Sequence, residues 1–370
     1  MTYALWGIAA VAGAYQLLAL AACVRHLMKR SSRSFEAPVA VSILKPVRGL
    51  DEHFRDAIRS HANQRYGEFE ILFGVEGPHD SAVPEIRRLI AEYPAAPIRL
   101  IIGAETAANG KVGVLMRLAA HARHPVWIVN DSDISVEPDY VERVTAPLAD
   151  AGIGLVTCLY RARASTWQGR WEALGIATDF APSTLVAPFV GISEFGLGST
   201  LAFRRADLDR AGGFAAISDY IADDYQVGCR LHSLGLRNVI SAVVVETHLG
   251  GATWNDIWKH QLRWARTIRV SRGVGYAGLP VTHASLWALV AAMAGHYEIA
   301  AALLAVRLAM ALTAGWGVLR SADVLRYWFF IPLRDLWGTA VWASGLFGRT
   351  VQWRDKTLRL DREGRITAVR

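Results

Sequence analysis

Val126-Trp127-Ile128-Val129-Asn130-Asp131-Ser132-Asp133 is the stretch on which the fold turns. Four apolar residues followed at once by an amide and two carboxylates read as a buried strand that ends on charge. Outward from it, short apolar runs recur at residues 39–44, 69–75, 98–102 and 154–158, with amphipathic stretches at 51–63, 81–93, 111–121 and 137–150 between them. Strands alternating with helical segments of that length predict βαβ units and a parallel sheet, so residues 38–280 are expected to form one α/β domain. Ligands bind such sheets beyond the carboxyl ends of the strands, which is where Asp131 and Asp133 fall. Two carboxylates so close repel unless a cation neutralises them, and oxygen ligands alone suit a Mg²⁺ or Mn²⁺ that also holds a diphosphate. The competing reading is a turn with a capping Asp ahead of Glu137. Neither a GxxxxGK[ST] loop nor a GxGxxG follows the first strand, so an ordinary ATPase or a dinucleotide enzyme lacks its main support.

The composition places this domain in a membrane protein. Of 370 residues, 52% are hydrophobic and 20% charged, and the mean hydropathy is +0.22. Soluble domains average about 45–50% and about 25%. Disorder is excluded, because its signature is low hydrophobicity. Cys23, Cys158 and Cys229 lie too far apart for a disulfide scaffold or a Cys-based zinc site. The net charge of +7 suits nucleic acid, anionic lipid or phosphorylated substrates alike.

The hydrophobic excess sits at the two ends. Residues 4–24 carry no charge, a run close to the roughly 20 residues that span a bilayer. Arg25, His26, Lys29, Arg30 and Arg33 follow it and nothing basic precedes it, which argues for a retained anchor over residues 1–25 with its carboxyl end in the cytoplasm, not a cleaved signal peptide. A single helix over 284–319 would extend roughly 54 Å, far beyond a bilayer core, so a helical hairpin turning near residues 296–298 is expected. Within 327–348 only 336–348 is free of charge, short for a crossing, and a spanning and a re-entrant segment both remain open. Together 281–348 form a C-terminal membrane region, and 349–370 reads as a basic tail carrying Arg349, Arg354, Lys356, Arg359 and Arg362. Abundant Arg and Ala point to a GC-rich bacterial source. The expected place is the inner membrane, with the α/β domain on its cytoplasmic face.

Three more groups of residues carry chemistry. Asp80 follows the second strand and reads either as a helix cap or as a ligand. Asp223 and Asp224 open a helix bearing Val227, Cys229 and Leu231. Acids there favour the helix dipole, and a carboxylate on an apolar helix also makes a general base when partial burial raises its pKa. In the helix expected over 253–272, spacings of three and four put His260, Arg263 and Trp264 on one face. Arg pairs with phosphate and Trp offers a flat wall, while an amphipathic helix lying on anionic lipid would show the same pattern. The apolar segment 167–190, inside the α/β domain, is expected at the bilayer surface as the acceptor's route to the site.

Taken in order, Asp80, Asp131-Ser132-Asp133, Asp223-Asp224 and an xxxRW helix resemble the D, DxD, D and (Q/R)xxRW motifs of inverting GT-A glycosyltransferases. Within them the chain is most similar to the ceramide glucosyltransferase family, including its bacterial hopanoid-associated relatives. The likeness runs through Val41-Ser42-Ile43-Leu44-Lys45-Pro46-Val47-Arg48-Gly49, Asn109-Gly110-Lys111, Ala211-Gly212-Gly213-Phe214, Tyr220-Ile221-Ala222-Asp223-Asp224-Tyr225 and Val351-Gln352-Trp353-Arg354. It departs at His260, where the motif usually has Gln or Arg. The resemblance implies a GT-A catalytic domain (Rossmann-like, mostly parallel sheet) between N- and C-terminal transmembrane helices. It implies a UDP-sugar donor and a membrane lipid acceptor in the bilayer, ceramide or hopanoid, with a divalent cation (Mn or Mg) as cofactor and no nucleic acid as partner. It also implies roles: Asp80 and Lys111 at the nucleotide, Asp131 at nucleotide and metal, Asp133 as principal metal ligand, Asp224 as catalytic base, and His260, Arg263 and Trp264 at the departing diphosphate. A processive polysaccharide synthase would need a longer membrane channel, and a scaffold has no use for four charged motifs at strand ends.

Overall fold

The computed structural model describes residues 2–29, 38–104, 107–353 and 356–369; Arg30, Arg33 and Arg354 lie outside them. The chain forms two compact units: Arg30–Tyr160 with Ile192–His248, and Met1–Lys29 with Arg161–Gly191 and Leu249–Arg370. The division cuts across the expected 38–280 domain. Residues 161–191 and 249–280 join the apolar helices in place of the sheet.

The sheet unit is built on β1 (Val41–Pro46), β2 (Phe69–Val75), β3 (Ile98–Ile102), β4 (Val126–Val129), β5 (Ile134–Ser135), β6 (Ile153–Ala164), β7 (Leu201–Arg204) and β8 (Arg237–Leu249), in the order β3-β2-β1-β4-β7-β6-β8-β5. β3, β2, β1 and β4 run parallel, as the alternation of apolar runs and amphipathic helices requires. Beyond β4 the partners are antiparallel, so the apolar run at 154–158 lies in the antiparallel half of a mixed sheet. β1 is buried along its whole length because both faces are covered. Ile43, Ile71 and Phe73 pack with Phe54, Ile58, Val83 and Ile86 of helices Phe54–Ala62 and Val83–Glu92. Leu44, Leu72 and Val129 pack with Val112, Leu115 and Leu118 of helix Gly110–His121, in a separate cluster.

Among the described residues, three helical runs of the helical unit are long and apolar enough to cross a membrane: Trp6–Leu27, Trp167–Val190 and Tyr297–Val318. The bent pair Gly273–Thr282 and Ala284–Met293 would make a fourth if it is one span. Between Ala284–Met293 and Tyr297–Leu312 the backbone reverses at Gly295, whose φ of 83° glycine adopts without penalty. Segment 167–190, read from its sequence as an apolar part of the soluble domain, is a helical run with a π-turn at Ile176–Phe180.

Arg307 and Asp335, which interrupt the apolar blocks, neutralise one another. Arg307 Nη2 and Nε donate to Asp335 Oδ1 and Oδ2 at 2.6 and 2.9 Å, and Nη1 donates to the Thr178 carbonyl at 2.8 Å. Residues 349–370 differ from a plain basic tail. β9 (Thr350–Trp353), β10 (Lys356–Leu360) and β11 (Ile366–Val369) form an antiparallel sheet that buries Val351, Leu358, Leu360 and Ile366. Alternating apolar residues and the Asp361–Gly364 turn outweigh the scattered arginines, of which Arg349, Arg359 and Arg362 stay exposed.

Candidate active site

The chain adds β2 and β3 on one side of β1, then returns to place β4 on the other. The loops leaving β1 and β4 therefore diverge at the strands' carboxyl ends, the switch point where such sheets bind ligands. The β4 loop is Asn130–Asp133. Asp131 keeps 42% of its side chain exposed, and Lys111 Nζ lies 2.7 Å from its Oδ1. The same Nζ lies 2.9 Å from Asp223 Oδ2, so one ammonium joins the two acidic motifs. Lys111 is held there by the cap before it. The Asn109 side chain accepts from Val112 N at 3.3 Å and donates to the Tyr220 carbonyl at 2.7 Å, just ahead of Asp223.

Asp223 is buried and committed to Lys111, whereas Asp224 meets only backbone donors among its hydrogen bonds: Gly198 N to Oδ2 at 2.9 Å and Tyr225 N to Oδ1 at 2.8 Å. Gly198 also accepts from Asp131 N at 3.2 Å. A Cβ at Gly198 would come within 2.8 Å of Asp131 Oδ2 and 3.4 Å of Asp224 Oδ2, so a larger residue here would push the Asp131 carboxylate aside. At Gly228 a Cβ would fall 2.4 Å from the Phe195 carbonyl carbon, which lets helix Asp223–Ser233 press Asp224 against the 195–198 backbone.

Charge crowding sets the protonation states. Burial pushes the Asp224 carboxyl up to about 6, with Asp223 adding to the rise and Lys111 opposing it. Asp133 is raised by burial and then by Asp131, although Thr247 Oγ1 donates to its Oδ2. Burial works against the Lys111 ammonium, but Asp131, Asp223 and Asp224 outweigh it and hold the pKa well above the ordinary value. Among the described residues no group of three or more His, Cys, Asp or Glu could hold a metal ion alone. Two carboxylates on one loop do fit a cation that draws its other ligands from a diphosphate, as Mg²⁺ and Mn²⁺ commonly do.

Asp80 sits one strand over. Gly49 N donates to both of its carboxylate oxygens at 3.0 Å and Ala82 N to Oδ1 at 2.8 Å, so it braces the loop after β1 while closing the turn into helix Val83–Glu92. The xxxRW residues belong to the helical unit, on helix Trp254–Ser271, which opens with a Thr253/Asp256 capping box. Here His260 Nδ1 donates to Glu172 Oε1 at 2.5 Å, its ring lies 4.7 Å from that of Trp264, and Trp264 lies 5.6 Å from Phe180.

The family model for glycosyl transferase family 21 matches residues 4–366. The chain belongs to glycosyl transferase family 21. Among curated relatives, it is 28% identical over 230 residues to ceramide glucosyltransferase 1 of Caenorhabditis elegans, covering 61% of this chain and 49% of that one. It is 26% identical over 241 residues to ceramide glucosyltransferase 3 of the same organism, covering 61% and 50%. The chain thus spans about half the length of the curated relatives it matches. Among solved structures, a mannosyltransferase from Pyrobaculum calidifontis, determined with GDP-Man and Mn²⁺, superposes with a TM-score of 0.57 at 20% identity, covering 92% of this chain and 97% of that one. That likeness shows the GT-A fold.

In this family 21 chain the sheet unit brings Lys111, Asp131, Asp223 and Asp224 together, while Asp80 acts on the neighbouring loop and His260 and Trp264 adjoin in the helical unit. Four participants were not singled out from the sequence. Gly198 and Thr247 leave no signal in a single sequence, since their partners are remote. Lys45 did leave one: a lysine at the end of the mostly apolar run that becomes β1. Glu172, the partner of His260, was hidden among the apolar residues of 167–190.

Proposed function

We propose that the chain is a membrane-bound inverting glycosyltransferase that moves a sugar from a UDP-sugar to a lipid hydroxyl, in the manner of ceramide glucosyltransferases. The observation that carries this reading is the Lys111 bridge from Asp131 to Asp223, which leaves the neighbouring Asp224 outside the ion pair with a raised pKa. Asp224 takes the proton from the acceptor hydroxyl, whose oxygen attacks the anomeric carbon from the face opposite the diphosphate. The bond to the diphosphate oxygen breaks, UDP departs, and the anomeric configuration inverts. Asp80 and Lys111 bind the nucleotide, Asp131 and Asp133 hold the cation, and His260, Arg263 and Trp264 serve the diphosphate on the strength of the motif. A bound divalent cation, Mn²⁺ or Mg²⁺, supplies charge neutralisation at the leaving oxygens.

The acceptor is a membrane lipid and the catalytic side is cytoplasmic, in a bacterial inner membrane, a reading supported by Arg25 in the last turn of helix Trp6–Leu27 and Lys29 just after it. The test is purified protein with a panel of UDP-sugars against ceramide, hopanoid and diacylglycerol, read by mass spectrometry with and without EDTA. A hexosylated lipid formed only with the cation is expected. No glycolipid from any pairing, or full turnover after verified metal removal, overturns the corresponding part of the reading.

A further inference from the structure

Lys45 is the last residue but one of β1, fully enclosed, and no step of the proposed reaction uses it. Its Nζ donates to the Asp131 carbonyl oxygen at 3.0 Å. A second neighbour is His61 Nε2, at 3.4 Å. His61 donates through Nδ1 to the Ala57 carbonyl at 2.9 Å, and burial, then the charge of Lys45, push its pKa down to about 3. It is therefore neutral, with the Nε2 lone pair turned to Lys45. His61 Nε2 also lies 3.3 Å from Asn130 Oδ1, and Asn130 Nδ2 donates to Tyr140 Oη at 2.8 Å and to the Ser199 carbonyl at 2.7 Å. Lys45, His61, Asn130, Tyr140 and Thr200 are all fully buried. Five polar side chains with no water contact thus converge beneath the peptide that opens the Asp131-Ser132-Asp133 turn.

Such a cluster is a poor way to stabilise a fold. A buried lysine costs several kcal/mol of desolvation, roughly, and an apolar side chain of the same length would fill the space at less cost. What the cluster does is local. The Asp131 carbonyl fixes the orientation of the following peptide, and hence the direction in which Ser132 and Asp133 leave the strand. Asp131 N is fixed at the same time by the Gly198 carbonyl. Held at its amide and at its carbonyl, Asp131 has little freedom to rotate its two neighbours.

We propose that Lys45 is a positioning residue for nucleotide binding: through the Asp131 carbonyl it sets the Asn130–Asp133 loop in the geometry that receives the cation and diphosphate, and His61 holds the lysine in place. The inference rests on the reading of Asp131 and Asp133 as the cation-binding pair, and the measurement separates the two. Calorimetric titration of UDP with Mn²⁺ into the full chain in detergent is compared for wild type and Lys45→Met, alongside thermal unfolding. Partners one step behind a metal ligand typically change affinity about 10–100-fold. Lys45→Met is expected to weaken cation-dependent UDP binding by roughly tenfold or more, with the unfolding midpoint unchanged or raised and KM for the donor rising more than kcat falls. A binding constant within about twofold of wild type, or a loss that tracks a lowered unfolding midpoint, overturns the role of Lys45. Wild type that binds UDP equally well without the cation overturns the reading beneath it instead. His61→Leu, which keeps the lysine but removes one of its acceptors, covers the case in which Lys45→Met does not fold. A several-fold weakening supports the proposal and an unchanged constant overturns it.

Discussion

Two buried ionic clusters, one in each unit, handle charge in opposite ways. In the helical unit Arg307 and Asp335 are 2% and 1% exposed, every nitrogen of the guanidinium has an acceptor, and the pair ties helices Tyr297–Leu312 and Ile331–Gly345 to the π-turn at Ile176–Phe180. In the sheet unit Lys111 meets an excess of acid: Asp131 stays 42% exposed, and the Asp133 and Asp224 carboxyls are raised by burial first and then by the neighbouring carboxylates. A cluster whose charges cancel internally has nothing left to offer a ligand. One with surplus negative charge at the strands' carboxyl ends is stabilised when a cation and substrate arrive. The first kind fastens the fold, and the second suits the proposed site.

The contrast breaks most sharply at Asp224. Asp224→Asn keeps the shape but removes the proton acceptor, and turnover is expected to fall roughly 10²–10⁴-fold with little change in UDP-sugar binding. Asp223→Asn should cost less. Near-normal turnover of Asp224→Asn beside an inert Asp223→Asn would transfer the base to Asp223.

At the other cluster the loss should appear in stability. Arg307→Met leaves the Asp335 carboxylate buried without its partner, a change worth about 3–5 kcal/mol. Arg307→Met with Asp335→Leu should recover most of it, since both charges are gone. Thermal unfolding of the three variants decides this, and if the double variant is no better than the single one, the pair is not the isolated clamp described here.

A smaller effect tests Asp133. Asp133→Ala is expected to lose cation-dependent UDP binding while the unfolding midpoint holds, because a loop carboxylate at the sheet's edge contributes little to the core. Calorimetry with and without Mn²⁺ checks both halves.

The mildest probe is pH. Asp224 must be ionised to act as the proposed base, and its pKa is raised from 3.8 to about 6. Between pH 7 and pH 5, kcat/KM should therefore fall roughly tenfold with a one-proton slope. Stability runs the other way. A carboxyl with a raised folded-state pKa favours the fold when protonated, so its contribution is complete below pH 3.8 and is lost as pH rises through about 6. Asp224→Asn should accordingly unfold no earlier than wild type at pH 7, and a lowered midpoint would count against a strained, function-held acid.

Much of the sheet unit was legible because its signals are local. A run such as 69–75 is apolar enough to be a buried strand wherever it goes, and Asp131 and Asp133 need only follow β4 to reach the ligand edge. The helical unit was less legible. Residues 161–191 and 249–280 carry the periodicity of ordinary helices, and nothing local says which core they join. Arg307 read as an interruption because Asp335, its partner, lies on another helix.

The sequence by itself determined that apolar ends flank an α/β domain and that acids stand after the second and fourth strands and at a later helix start. These follow from composition and from spacings of a few residues, over which the backbone's own periods of 2 and 3.6 fix what lies beside what. Only the tertiary structure decided that Lys111 chooses Asp223 over Asp224, that Gly198 threads between Asp131 and Asp224, and that His260 leans on Glu172. Each of these joins residues that the chain separates widely. An ion pair or a close approach of that range exists only after the core has packed and set the distances.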